Sequence, residues 1–410
     1  MKKSLLKNYA KLIVKTGANV QKKQDVVITS SVEIAEFTTY VVEECYKAGA
    51  RDVRIEWSHT PITALHYKHQ KVETLAEINQ WQHEKYKYNV KTLPAQIHLV
   101  SDDPDGLKDI DQEKMTKVRA ITGPVIMNYR EQMENKYQWT IAGVPGKAWA
   151  KKVFPELNEK KAIEALWDAI LSVSRAKEGK PIENWNEHNA NVLDKCKKLN
   201  DLCIKKLTYK SANGTDFTVG LHDCTVFEGG ISRTLKGVRY NPNIPTEECF
   251  VSPDKTTAQG TVMSTKPLSV MGKLVDNFGF KFVDGKIVEV IAEKAEDKEL
   301  LEKLISLDEG ARMLGEVALV PYNSPINMTG LLFYNTLYDE NACCHLAIGR
   351  GFDDTIKDFD KKTEEEIKAV GLNQSMIHVD FMIGSADLSI VAETYDDKTV
   401  QIFKDGNWAI

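Results

Sequence analysis

The chain has 410 residues, of which 42% are hydrophobic and 28% are charged, and its formal net charge is −5. This length and composition predict a globular protein with more than one domain. The sequence has no basic excess and no basic block, which argues against a general binder of nucleic acid or anionic membranes. It also has no apolar run near the roughly 20 residues that span a bilayer.

The first 15 residues, MKKSLLKNYAKLIVK, begin like a secretion signal. Lys7, Lys11 and Lys15 interrupt the apolar stretch, however, and the apolar residues between them follow the period of an amphipathic helix. We therefore expect a helix here and a cytoplasmic protein. The seven cysteines are odd in number and form no CxxC pair, which predicts reduced, buried thiols.

The next segment, residues 25–57, has the pattern of a β-strand, a helix and a second strand: DVVITS, SVEIAEFTTYVVEECYKAG and DVRIEW. Ser31 is placed to cap this helix, and Gly49 is placed to end it. The alternation of strand and helix predicts an N-terminal α/β domain with parallel βαβ units, residues 1–204. No GxGxxG motif follows its strands, so a dinucleotide site is not supported.

The same domain holds further predicted strands near residues 96–102 and 138–145, with a helix near 127–135 between them. Residues 158–204 are predicted to be helical.

Beyond residue 205 the pattern changes to alternating segments joined by tight turns. Three segments contain Asn-Gly or Asp-Gly between alternating residues and predict β-hairpins: SANGTDFTVGL, GFKFVDGKIVEVIAE and VQIFKDGNWAI. The segment EDKELLEKLISLDEGARM predicts a helix among them. We therefore expect a mainly antiparallel α+β domain that covers residues 205–410.

The strand-like segment MIHVDFMIGSADLSI, residues 376–390, contains two polar interruptions. His378 and Asp380 are two residues apart, so on a strand both side chains point to the same face. An imidazole and a carboxylate that converge in this way suit a divalent ion such as zinc. The alternative is a hydrogen-bonded His–Asp pair at a strand edge.

Three other apolar segments of the C-terminal half also contain isolated metal-binding residue types. Glu247 and Glu248 follow a proline turn, and Glu316 is the single acid of LGEVALVP, where burial is costly unless a cation or a donor pairs with it. Glu340 and His345 lie in YDENACCHLAIG, although His345 alone could be a core histidine. Four such segments predict convergence on one metal site.

These motifs carry a family resemblance. IPTEE…SPD, LGEVALVP, FYNTLYDENACCHLAIG and GLNQS…HVDFMIGSADL together resemble the thermophilic-type metalloaminopeptidase family of aminopeptidase T, aminopeptidase S and PepS. In the N-terminal half, SDDPDG, GKAWAKKVFPEL and PIENWNEH are similar to the same family. The resemblance covers essentially the whole chain. It implies a metal-dependent aminopeptidase that hydrolyses the N-terminal residue from peptides through a dinuclear metal centre and a bridging hydroxide.

Transferred position by position, the resemblance also implies the site residues. The implied metal ligands are Glu248, Glu316, His345, His378 and Asp380. Glu316 would be the bridging carboxylate, and Glu340 would be the general base or an additional acid of the centre. Two divalent ions per subunit are implied, with zinc or cobalt favoured by the imidazoles and manganese as a further candidate. The implied partners are peptide substrates with a free N-terminus and a second subunit in a homodimer, without nucleic acid or membrane.

The sequence departs from the family pattern at Phe352, where the motif after HLAIG usually offers a tyrosine. Phenylalanine keeps the ring and loses a phenol donor, and loss of an oxyanion donor can cost about 10²–10³ in rate. An alternative function is therefore a catalytically weakened metal- and peptide-binding homologue. A two-metal phosphoesterase lacks support, because no Arg/Lys cluster accompanies the acidic motifs.

Overall fold

The computed structural model describes residues 1–270 and 273–410. Its contacts divide the chain into two compact units: Met1–Glu187 with Ile231–Pro245, and His188–Gly230 with Thr246–Ile410. We expected a single division near residue 205, where the sequence pattern changes from helical to alternating. In the structure that change of pattern marks the end of a helix whose last part already belongs to the second unit.

The helices and strands are numbered here in chain order. The α-helices are α1 (Lys3–Leu12), α2 (Ala35–Ala48), α3 (Thr60–His69), α4 (Val72–Ala76), α5 (Gln80–Thr92), α6 (Gln112–Glu131), α7 (Lys147–Val153), α8 (Glu159–Val173), α9 (Pro181–Asp201), α10 (Ala295–Leu304), α11 (Thr336–Asp339) and α12 (Glu364–Val370). The strands are β1 (Asp25–Ser31), β2 (Asp52–Ser58), β3 (Ala95–Val100), β4 (Trp139–Gly143), β5 (Ile204–Lys210), β6 (Asp216–Gly220), β7 (Ser232–Arg233), β8 (Arg239–Tyr240), β9 (Asn243–Ile244), β10 (Cys249–Val251), β11 (Gln259–Met263), β12 (Leu268–Val270), β13 (Lys273–Val275), β14 (Phe278–Val283), β15 (Lys286–Ala292), β16 (Leu314–Leu319), β17 (His345–Gly349), β18 (His378–Met382), β19 (Ser389–Thr394), β20 (Thr399–Lys404) and β21 (Asn407–Trp408).

The first unit is built on a parallel sheet with the strand order β2-β1-β3-β4-β9. The helical segment of its first βαβ unit begins and ends at the predicted residues. Ser31 Oγ accepts a hydrogen bond from the backbone N–H of Glu33 at the short 3₁₀ turn that leads into α2. Gly49 follows α2 with φ of 97°, a left-handed conformation that favours glycine. The prediction of a parallel sheet with βαβ connectivity is confirmed.

Helix α6 differs from its prediction. We expected a helix near residues 127–135, whereas α6 begins at Gln112 and ends at Glu131. The side chain of Asp111 caps it by accepting a hydrogen bond from Lys114 N–H at 3.0 Å. Pro124 lies inside the helix, and a proline at that position normally indicates a break. That proline explains why the sequence pattern indicated only the last part of the helix, residues 127–131.

The second unit contains an antiparallel sheet of eight strands in the order β15-β14-β11-β6-β5-β19-β20-β21. Two of its hairpins turn through Asp-Gly pairs, and both residues of each pair have positive φ: Asp284 48° and Gly285 81°, Asp405 50° and Gly406 70°. These conformations match the right-handed twist of the flanking strands, which is why Asp-Gly is favoured in such turns. The predicted hairpins and the antiparallel character of this region are confirmed.

A second antiparallel sheet in this unit has the order β10-β16-β17-β18 and positions the candidate site. Val317, Leu346 and Phe381 on one face belong to the same buried cluster as residues of the eight-stranded sheet. The ring of Phe381 lies 5.2 Å from that of Phe280 on β14. Because side chains alternate along a strand, the residues between these apolar positions point to the opposite face.

Candidate metal centre

The strand register brings polar residues together on the face opposite the core. Glu316 on β16 pairs directly with Ala347 on β17, and Ala347 pairs in turn with Asp380 on β18. His378 pairs with Gly349 in the same sheet. Residues directly opposite each other share a face, so the acids and the imidazole surround the small side chains of β17. The alternation proposed for His378 and Asp380 is therefore observed.

His345 and Glu248 complete this group of side chains. His345 begins β17, two residues before Ala347, and is 1% exposed. Its Nε2 lies 3.4 Å from Oε2 of Glu248, which immediately precedes β10. The chain before Glu248 is held by His188, whose Nε2–H donates to the carbonyl of Thr246 at 2.7 Å. His188 therefore supports the backbone that leads to Glu248.

The ligand atoms form two groups, each with all its atoms within 4.8 Å of one another. One group is Glu248, Glu316 and His345, and the other is Glu316, His378 and Asp380. His378 Nε2 lies 3.1 Å from Glu316 Oε2 and 3.2 Å from Asp380 Oδ1. All five residues that the family resemblance implied as ligands are therefore adjacent in space, and Glu316 is common to both groups.

Both imidazoles present Nε2 to the centre because backbone carbonyls hold their other nitrogen. His378 Nδ1 lies 2.7 Å from the carbonyl of Arg350, and His345 Nδ1 lies 3.4 Å from the carbonyl of Cys343. A carbonyl can only accept, so each Nδ1 carries the hydrogen. In the neutral imidazole this leaves the Nε2 lone pair free for a cation, which is a common arrangement of metal-binding histidines.

The electrostatics of the centre favour bound cations. Burial raises the pKa of Glu316, although the nearby His378 opposes that shift. Burial also lowers the pKa of both histidines, but the neighbouring carboxylates outweigh it. Glu248 raises the pKa of His345 to about 10, and Asp380 and Glu316 raise the pKa of His378 to about 11. Without a metal, the carboxylates therefore retain protons on the imidazoles to offset their charge.

The donor set fits a divalent metal. It combines three carboxylates and two imidazole nitrogens, which suits borderline ions of the first transition series. Asp380 Oδ1 is buried and lies 3.2 Å from His378 Nε2, but the geometry of this ion pair is not that of a hydrogen bond. A buried carboxylate oxygen without a well-aligned donor is costly, and a coordinated cation would remove that cost.

Glu340 lies beside the two groups and belongs to neither. It begins the 3₁₀ turn Glu340–Ala342, and its Oε1 accepts a hydrogen bond from Asn341 Nδ2 at 3.3 Å. Burial, followed by the charges of Asp380 and Glu248, raises the pKa of Glu340 well above its usual range. The carboxyl group is therefore near enough to the ligands to feel their charge.

Phe352 lies at the side of the centre, with 37% of its surface exposed. Its ring centroid is 4.8 Å from that of His378 and 5.6 Å from that of Phe250 on β10. Ser252 Oγ accepts a hydrogen bond from the backbone N–H of Phe352 at 2.7 Å, which fixes the start of this loop. The ring of Phe352 thus lies directly beside a candidate ligand.

Three residues of the site were not singled out from the sequence. Ala347 and Gly349 provide space between the ligands, and their alternation in HLAIG could have revealed them as a pair of small residues on one strand face. Asn341 contacts both Glu340 and the backbone beside Glu248, but its partner Glu247 is 94 residues away in the chain. No local pattern indicates such a contact.

The model of the thermophilic metalloprotease family (M29) matches residues 2–408. This chain belongs to the M29 family. Aminopeptidase AmpS of Bacillus subtilis (strain 168) is 40% identical over 405 residues, covering 98% of each chain. Aminopeptidase T of Thermus aquaticus is 34% identical over 409 residues, covering 99% of this chain and 98% of the relative. The structure of wild-type AmpT from Thermus thermophilus superposes with a TM-score of 0.91 at 32% identity, over 100% of both chains.

Membership of the M29 family confirms the resemblance and the predicted class of enzyme, a metalloaminopeptidase hydrolase. It also confirms that the cofactor is a divalent metal, for which the two ligand groups form a candidate site. Among residues 1–270 and 273–410, no helix is both long and apolar enough to cross a membrane.

Proposed function

We propose that this M29 protein removes the N-terminal residue from peptides and uses a dinuclear metal centre to do so. The observation that carries the proposal is the position of Glu316, which belongs to both ligand groups. A carboxylate shared by two groups can bind one cation through each side. Two cations in such positions are the arrangement found in dinuclear hydrolases.

The other four candidate ligands form two pairs, one on each side of Glu316. Glu248 and His345 would hold one ion, and His378 and Asp380 would hold the other. Bound divalent ions would supply an activated water and polarise the scissile carbonyl. The three carboxylates offset much of the added positive charge. The imidazoles favour zinc or cobalt, with manganese as a further candidate.

Glu340 is the proposed general base. Its raised pKa makes the carboxylate of Glu340 a stronger base than an ordinary glutamate, which suits it to general acid–base catalysis. Its carboxyl oxygen would take the proton of the attacking water and later deliver it to the leaving amine. The hydrogen bond from Asn341 leaves the other carboxyl oxygen available for this transfer.

The buried acids also support recognition of a free N-terminus. Glu247 and Glu248 are 8% and 9% exposed, so their charges are poorly screened. An α-ammonium group would be attracted to this negative centre, whereas an acetylated N-terminus would not. The proposed partners are accordingly peptides with a free N-terminus.

Phe352 supports a second candidate, a metal- and peptide-binding homologue with weak catalysis. Its ring packs against His378, but phenylalanine has no hydroxyl to donate to a tetrahedral intermediate. If no other donor replaces it, substrate would bind to the metal centre and turn over slowly.

One assay series separates these candidates. Protein stripped of metal is reloaded with cobalt, zinc or manganese and tested on Leu- and Arg-p-nitroanilide and on N-acetylated peptides. We expect metal-dependent cleavage of substrates with a free amine and little cleavage of acetylated ones. Metal binding without turnover would support the weak homologue instead. Equal cleavage of acetylated peptides would overturn recognition of the N-terminus.

The homodimer and the cytoplasmic location are further proposals that rest on the family resemblance. Light scattering of the purified protein would measure its mass against the 46.2 kDa of one chain. A monomer at assay concentration would contradict the first of these proposals.

A further inference from the structure

We infer that Asn341 is a positioning residue that fixes two parts of the metal centre relative to each other. The inference rests on the proposed function, because it concerns the loop that presents Glu248 and the carboxyl group of Glu340. Asn341 is fully buried and lies in the 3₁₀ turn directly after Glu340. Asn341 is not one of the candidate ligands, so its effect on the metal centre is exerted through the residues that its side chain contacts.

The amide group of Asn341 makes hydrogen bonds on both sides. Its Oδ1 accepts from the backbone N–H of Glu247 at 2.7 Å. Its Nδ2 donates to Glu340 Oε1 at 3.3 Å and to the carbonyl of Leu337 at 3.2 Å. The carbonyl of Leu337 anchors the amide to the preceding helical turn. One planar group thus connects the backbone beside Glu248 with the proposed base.

The chemistry of the partners determines which residue can serve here. A backbone N–H can only donate and a backbone carbonyl can only accept, so the Asn341 amide must place its oxygen toward Glu247 and its nitrogen toward Leu337 and Glu340. Aspartate would keep the acceptor and lose both donors, and it would face Glu340 with a second carboxylate. Alanine would lose all three bonds. The two substitutions therefore remove different parts of the same connection.

Asn200 provides a matched control. It is an asparagine of the same unit, and its amide is also bonded on both sides: Phe227 N–H donates to its Oδ1 at 2.7 Å, and its Nδ2 donates to the Phe227 carbonyl at 3.0 Å. Both of these bonds connect α9 to a loop and involve no residue of the metal centre. The Asn200 variants therefore measure the effect of losing an asparagine whose hydrogen bonds support the fold and not the metal centre.

The experiment compares Asn341→Ala, Asn341→Asp, Asn200→Ala and Asn200→Asp with the unmodified protein. Cobalt binding to the metal-free protein is followed by visible absorption, and kcat and KM are measured separately on Leu-p-nitroanilide. Loss of a group that orients metal ligands typically costs about 10–100-fold in metal affinity or activity. We expect Asn341→Ala to lose this much in both cobalt affinity and kcat. Asn341→Asp should lose kcat while it keeps most of its cobalt affinity, since the acceptor for Glu247 remains.

The Asn200 variants should retain both cobalt affinity and kcat even where thermal unfolding shows lower stability. The inference is overturned if Asn341→Ala keeps the cobalt affinity and kcat of the unmodified protein, or if Asn200→Ala lowers them equally. If Asn341→Ala does not fold, the near-isosteric Asn341→Asp decides, and an unchanged kcat would refute the inference. If the unmodified protein binds cobalt but cleaves no peptide, the proposed function fails and the cobalt titrations alone decide on Asn341.

Discussion

Glu316 Oε2 lies 3.1 Å from His378 Nε2, although 62 residues separate them in the chain. Strands β16 and β18 are not neighbours, and β17 lies between them in the sheet. The side chain of Glu316 reaches His378 across the small residues of β17, so the contact does not depend on the closure of a loop. The geometry of the candidate ligands therefore depends on strand register, and substitutions in this sheet should affect metal binding in predictable ways.

Replacing Glu316 by alanine should remove the bound metal pair. Both ligand groups lose a member, and loss of a direct ligand should exceed the roughly 10–100-fold effect of an outer partner. Elemental analysis of the purified variant would measure the metal content, with activity assayed in parallel. Glu289→Ala, at an exposed position of strand β15, is the matched control and should keep its metal. Two retained ions in Glu316→Ala would show that the ligand assignment is wrong.

Enlarging Ala347 should exclude metal while the ligands themselves are unchanged. Ala347 is fully buried and pairs with both Glu316 and Asp380, so a larger side chain would occupy the space between them. Overpacking should cost about 1–3 kcal/mol of folding free energy. We expect Ala347→Leu to bind cobalt weakly and Ala347→Ser, the small control, to bind it normally. Normal cobalt binding by the leucine variant, measured by titration, would place the ions elsewhere.

Introducing a hydroxyl at Phe352 should increase turnover if the oxyanion lacks a donor. The ring already lies beside His378, and a well-placed donor is worth about 10²–10³ in rate. Phe352→Tyr should therefore raise kcat with little change in KM. Phe250→Tyr, on the neighbouring ring, controls for a general effect of an added hydroxyl. An unchanged kcat in Phe352→Tyr would mean that another group already serves as the donor.

Metal affinity should increase with pH. Without metal, carboxylates outweigh the effect of burial and raise the pKa of His345 to about 10 and that of His378 to about 11, so both imidazoles are protonated at neutral pH. Each ion binds one neutral imidazole, so binding of the metal pair releases both protons, and the logarithm of the overall affinity for the pair should rise by about 2 per pH unit between roughly pH 7 and 9.

Calorimetry of cobalt binding in two buffers of different ionisation enthalpy would count the protons released. Heats that are independent of the buffer would show that the imidazoles are already neutral before metal binds. The His345→Gln variant should release one proton fewer, since only His378 then loses one.

The parts of the fold and site that depend on local pattern could be predicted from the sequence. The period of two placed His378 and Asp380 on one face, and Asp-Gly pairs marked the hairpins of the eight-stranded sheet. A single acid in the apolar run of β16 indicated that Glu316 needs a partner, since a buried carboxylate is otherwise unstable.

The parts that depend on distant contacts could not be predicted in this way. Residues 231–245 return to the first unit because β9 pairs with β4, a contact that has no local sequence pattern. Pro124 concealed most of α6 because its missing N–H and its ring usually end a helix. Asn341 could not be predicted either, because its role depends on a backbone group 94 residues away in the chain.

The core-facing side of the β10-β16-β17-β18 sheet has a consequence for the choice of ion. Because Val317, Leu346 and Phe381 anchor these strands to the hydrophobic core, folding fixes the strands that carry the ligands before any ion binds. The entropy of arranging them is lost during folding and does not distinguish one metal from another. Affinity then follows the intrinsic preference of nitrogen and oxygen donors among divalent ions, and the metal supply of the cell decides which ion the enzyme carries.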